Sequence, residues 1–214
     1  MSKTLNLLDM WNNFLFIDEY KPEVNVSCYS INRGFDHIFK IGKVMEGNRL
    51  IVGDEPFLYH RSVNVIDDLY GKYVWINNIL LEDGSFKCNT IGFKKENDTC
   101  IRLVRKVIDF DVNEVPEMPL EMEMKNFLES KKQVYSVKRS LVRSPVIGTI
   151  YCGEYIMHDD RCGILEKSII IDRSKHGNLI VTINEENNDW TTNSASYEFI
   201  PQENGIPFVA VQDI

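Results

Sequence analysis

The chain has 214 residues, enough for one sizeable domain or two small ones. Hydrophobic residues make up 43% and charged residues 26%, an ordinary globular composition, and no run of 18 apolar residues offers a membrane span. A formal net charge of −8 disfavours long nucleic acids, which need a basic surface.

In chain order, MSKTLNLLDMWNNFLF has no basic run ahead of a long apolar core, so it does not read as a signal peptide. Leu5, Leu8, Trp11 and Leu15 recur at helical spacing, which predicts an amphipathic helix over residues 4 to 16. Beyond Pro22 the period changes to short segments rich in β-branched and aromatic residues: VNVSCYSIN, HIFKIGKV, NRLIV, SVNVID, YVWINNILL, SFKCNTIGF and TCIRLVRKV. Asp83-Gly84 between two of them is a hairpin signal. DFDVNEVPEMPLEME (109–123), with its prolines and acidic residues, reads as a connection running into a short helix around 121–132. Strands then resume as QVYSVKRSLV, PVIGTIYCGEYIM, GILEKSIIID, NLIVTIN, SASYEFI and IPFVAVQ. The expected class is therefore mainly β, in two antiparallel barrels or sandwiches over residues 1–112 and 113–214, with no repeat of 20–50 residues visible.

Five scattered cysteines without a C-x-x-C pair suit a reducing compartment, free thiols and a cytoplasmic location. His158 with Cys152 lacks the second ligand pair that structural zinc needs, so no metal and no cofactor are expected. The stretch HDDRCGILEK places Cys162 before Gly163, where a tight turn can offer a thiol together with backbone N–H groups. A thiolate nucleophile needs a base and a group to orient that base. His60 in PFLYHRS and Asp98 in NDTC precede Cys162 in the order His, Asp, Cys.

The segments NDTCIRLVRKVIDFDVNEVPEMPL, DDRCGILEKSIIIDRSKHGNLIVTIN and SASYEFI, in this order across two strand sets, resemble the viral 3C-like cysteine proteases of the chymotrypsin type. The resemblance implies a double β-barrel and a viral endopeptidase acting on a peptide or protein, with Cys162 as nucleophile, His60 as base and Asp98 as orienter. It places Asp160 and Gly163 at the oxyanion turn, and Thr182 and Asn184 on the strand beside the specificity pocket. Two alternatives stay open. Glu55 falls where the family's histidine would stand without an insertion, which would leave a protease relative without peptidase activity. Such a relative would be either a poxin-like nuclease using Tyr135 and Lys138 or a non-catalytic host-binding or structural protein.

Overall fold

The computed structural model describes residues 1–9, 16–21, 25–113, 118–127, 131–141, 143–159, 163–173, 178–200 and 208–213. It divides into two units, Met1–Val104 with Asn188–Trp190, and Arg105–Asn187 with Thr191–Ile214. The division falls between Val104 and Arg105, ahead of the boundary expected after residue 112.

In the first unit β1 (Ser2–Asn6), β4 (Lys40–Glu46) and β5 (Arg49–Val52) form a three-stranded sheet in the order β1-β4-β5. A six-stranded sheet runs β2-β3-β6-β7-β8-β9, built from Phe16–Lys21, Val26–Ile31, Leu58–Asp68, Gly71–Glu82, Ser85–Glu96 and Thr99–Leu103. The second unit repeats this plan strand for strand. Its three-stranded sheet is β10 (Lys106–Asp111), β13 (Pro145–Cys152) and β14 (Tyr155–His158). Its six-stranded sheet runs β11-β12-β15-β16-β17-β18, over Met122–Phe127, Lys132–Val137, Ile164–Asp172, Leu179–Asn187, Thr192–Ile200 and Phe208–Asp213. In both units the first and fourth strands pair in parallel and every other ladder is antiparallel.

Period-two alternation explains the layering, because one side of each strand turns towards a core. The first core gathers Leu5, Tyr29, Ile31, Ile41, Val44, Val63, Val74, Ile76 and Phe93 from both sheets. The second core places Phe110, Tyr135, Val137, Ile147, Ile150, Ile169, Val181, Ile183 and Tyr197 at the corresponding strand positions. Each such side chain contributes about 1.5–3 kcal/mol when fully buried. The turns repeat as well. Gly47 and Gly153 both adopt left-handed φ, at 61° and 60°. The side-chain oxygens of Asn6 and Asp111 accept their N–H groups at 2.8 and 3.2 Å.

Two expectations are corrected. The helix expected over 4–16 is strand over Ser2–Asn6, and residues 10–15 lie outside the described residues. Leu5 and Leu7 alternate into the core while Leu8 is exposed, so a period of two wins over the helical spacing. The helix expected near 121–132 is β11 followed by β12. Met122 is buried and Met124 packs on the core, again alternately, despite good helix propensities. Residues 139–141 form a single 3-10 turn. The mainly β class is as expected, while no closed barrel is found among the described residues: β2 and β9, and β11 and β18, stand at the ends of the strand orders.

Candidate functional site

His60 lies on β6 just beyond a bulge, half-buried beside Asp36, Ile38, Lys40, Leu58 and Tyr59. Burial holds its imidazole below the ordinary value of 6.5, and the nearby Asp36 carboxylate opposes this. Asp98 sits in the turn between β8 and β9, where its carbonyl accepts a hydrogen bond from Arg49 Nη1. The register separates the two. His60 pairs with Ile79 and Ile79 with Cys88, whereas Asp98 follows Glu96 at the far end of β8. At about 3.3 Å per residue they lie roughly 25 Å apart, so Asp98 does not orient His60. Cys162 and Asp160 lie outside the described residues, and Gly163, with φ 88°, leads into β15.

The residues of the alternative readings have other employment. Glu55 Oε1 is 3.5 Å from Arg61 Nη2. Tyr135 is fully buried, 5.0 Å from Phe110 between ring centroids, with its hydroxyl donating to Gln133 Oε1 at 3.2 Å. Burial pushes that phenol's pKa up, the wrong direction for a base. His158 is buried with Nε2 2.7 Å from Glu185 Oε1. Among the described residues no group of three or more His, Cys, Asp or Glu is placed to hold a metal ion. Cys28, Cys100 and Cys152 are free thiols, whereas Cys88 is disulfide-bonded, which corrects the expectation of thiols throughout.

Two buried cations occupy corresponding places. Arg61 on β6 donates to the Gly42 carbonyl, to the Gly53 carbonyl at 2.9 Å and to Asn78 Oδ1 at 2.6 Å. Lys167 on β15 donates to the Gly148 carbonyl at 2.8 Å and the Asp159 carbonyl at 3.1 Å, and lies 3.6 Å from Glu185 Oε1. Both reach from the large sheet to the small one. A role shared by the two units, satisfying main-chain carbonyls at the small sheet, is structural.

On the opposite face of each large sheet runs a transverse row of short polar side chains. In the second unit Ser136 pairs with Ser168, Ser168 with Asn184, and Asn184 with Ser194. In the first, Ser62 pairs with Asn77 and Asn77 with Thr90, with Ser30 in the position of Ser136. The internal bonds match: Thr90 Oγ1 donates to Asn77 Oδ1 at 3.0 Å and Ser194 Oγ donates to Asn184 Oδ1 at 2.8 Å. The second row floors an open groove of about 570 Å³ edged by Glu166 and Arg139. Of the expected pocket residues, Asn184 lines this groove, and Thr182, two residues along the same face, is 3.2 Å from Ser196 Oγ.

A second surface feature lies at one end of the first unit's large sheet. Phe57, Tyr59 and Phe86 are 65%, 59% and 63% exposed, beside the 39% exposed Leu81. Tyr59 and Phe86 meet edge-on at 5.0 Å, and the Phe57 carbonyl accepts the Leu81 N–H at 2.8 Å. Phe57 is held at φ 62°, a conformation that costs a bulky residue energy.

These features had a legible signal that strand-by-strand reading misses. Tyr29-Ser30, Ile41-Gly42, Gly47 and Arg61-Ser62 recur at one constant spacing as Tyr135-Ser136, Ile147-Gly148, Gly153 and Lys167-Ser168. No family model, curated protein or solved structure matches the chain.

Proposed function

We propose that this chain is a non-catalytic binding protein that recognises a partner protein through the aromatic patch of its first unit. The observation that carries this reading is Phe57, Tyr59, Leu81 and Phe86 standing together in solvent, with Phe57 in a strained backbone conformation. Large rings left in water at a fixed place mark interaction surfaces, where Tyr and Phe supply area at low entropic cost. A peptidase would need a base held by an orienting group. The orienter expected for His60, Asp98, lies far along β8, which supports binding over that chemistry.

Panning a random displayed peptide library against the full chain tests the proposal. The expected result is enrichment of aromatic or aliphatic peptides whose affinity falls at least tenfold on the Tyr59→Ala/Phe86→Ala variant, a loss on the scale of an interface hot spot. Enriched peptides indifferent to that variant would overturn it. So would cleavage of the library that disappears with Cys162→Ala, which would restore the peptidase reading.

A further inference from the structure

We infer that the groove of the second unit is a binding site for an asparagine-bearing turn of a partner polypeptide. The first unit shows what its own row does. Asn188, only 2% exposed, is seated on that row. Asn188 Nδ2 donates to Asn77 Oδ1 at 2.8 Å, and Asn77 Nδ2 returns a bond to Asn188 Oδ1 at 3.1 Å. Asn64 Nδ2 adds a third at 2.7 Å, and Lys21 Nζ holds the neighbouring Asp189 carbonyl at 3.1 Å. The row therefore works as a receptor for a side-chain amide, which alone among common side chains offers a donor and an acceptor side by side.

The second unit keeps the receptor. Asn184 stands where Asn77 stands, with its oxygen oriented by Ser194 as Thr90 orients that of Asn77. Ser168 and Ser194 flank it, with Ser136 beyond Ser168, in the same register. No described residue is hydrogen-bonded across Asn184 as Asn188 is across Asn77; the space above the row is the open groove. The first unit's hairpin corresponding to the Asn188 loop is the two-residue turn Asp83-Gly84, which carries no such side chain. A second copy of this chain is a poor donor, because its Asn188 is already buried in its own first unit. The occupant is therefore a different protein. The groove's edge of Glu166 and Arg139 suits a polar turn rather than an apolar helix. In place of Asn64 and Trp75 the second unit has Ile170 and Thr182, so the bond that Asn64 donates to Asn188 has no counterpart there.

The probe is a cyclic peptide carrying Glu186–Thr192, the chain's own asparagine turn, titrated into the isotopically labelled full chain. Saturable chemical-shift changes are expected at Ser168, Ser194 and the Asn184 side-chain amide. They should weaken at least tenfold when aspartate replaces the asparagine of the peptide corresponding to Asn188, and likewise on the Asn184→Leu variant. The peptide substitution leaves the protein untouched, so the comparison holds even where Asn184→Leu folds poorly. Absence of saturable shifts, equal response to the aspartate peptide, or shifts confined to Asn64 and Asn77 would overturn the inference. Self-association in sedimentation that disappears with Asn188→Ala would assign the groove to a second copy and overturn it too. Tyr59→Ala/Phe86→Ala leaves this binding in place, so its outcome is separable from that of the aromatic patch.

Discussion

At the scale of single residues, Arg61 and Lys167 are cations whose replacement is expected to be costly. Each is a fully buried cation whose donors are aimed at carbonyls of the facing sheet. Arg61→Met or Lys167→Met leaves those carbonyls and a facing carboxylate without their cation, an expected loss of about 3–5 kcal/mol. Urea unfolding followed by tryptophan fluorescence measures it; a loss below 1 kcal/mol would show that water replaces the cation. His60 has a smaller, pH-dependent effect. Its imidazole is depressed below 6.5 chiefly by burial, so above pH 6.5 it is neutral folded and unfolded and its contribution is complete. As pH falls through 6.5 the unfolded chain takes the proton first, and stability is lost until the pH passes the folded value. His60→Gln should therefore flatten the decline of stability on the acid side of 6.5 and leave neutral stability nearly unchanged. Unfolding midpoints across that range decide it.

At the scale of elements, tight strand crossings make specific demands. Gly92 on β8 faces Trp75 on β7 so closely that a Cβ would stand 2.4 Å from the indole ring, which is itself fully buried. Gly92→Ala should cost about 1–3 kcal/mol by overpacking. The corresponding pair in the second unit, Thr182 and Ser196, already tolerates a side chain there and instead shares a hydroxyl contact. Ser196→Ala is accordingly expected to cost less than 1 kcal/mol. Thermal shifts of the two variants, compared side by side, check the contrast. The hairpins differ in the same way. Asp83-Gly84 takes the two positive φ angles, 51° and 78°, of a two-residue turn, which its sequence announces. The loop after β16 is longer, and Asn188 at its start is what the first unit's polar row binds.

For the whole molecule, two units of one topology share a core pattern, a buried cation and a polar row, and they differ at the surface. What is common to both is needed by the fold; what is confined to one is a candidate for function. The exposed aromatics Phe57, Tyr59 and Phe86 and the open groove over Asn184 fall in the second category. Asn188→Ala tests how far the occupied row supports the first unit. Leaving the buried Asn64 amide and the half-buried Asn77 amide without that partner should cost about 1–3 kcal/mol. Amide hydrogen exchange should speed up on β6 and β7 and stay unchanged on β12 and β15; uniform acceleration would refute the assignment.

By itself the sequence determined the strand content, the punctuation between strands and the division into two strand-rich halves. These rest on local causes: β-branched alternation, the Asp-Gly turn and prolines that end ladders. It did not decide the first strand or β11, because Leu5, Leu8, Met122 and their neighbours satisfy a helical period as well as an alternating one. Only pairing with β4 and β12 settles which is used. The pairing of His60 with Asp98 meets the same limit. Chain order placed His60 and Asp98 suitably, but register, a long-range property, puts them at opposite ends of the β6-β7-β8 ladder. The tertiary structure alone brought Ser136, Ser168, Asn184 and Ser194, each on a different strand, into one row. A transverse row has no periodicity along the chain, since hydrogen-bonded registry between strands, not spacing within one, creates it.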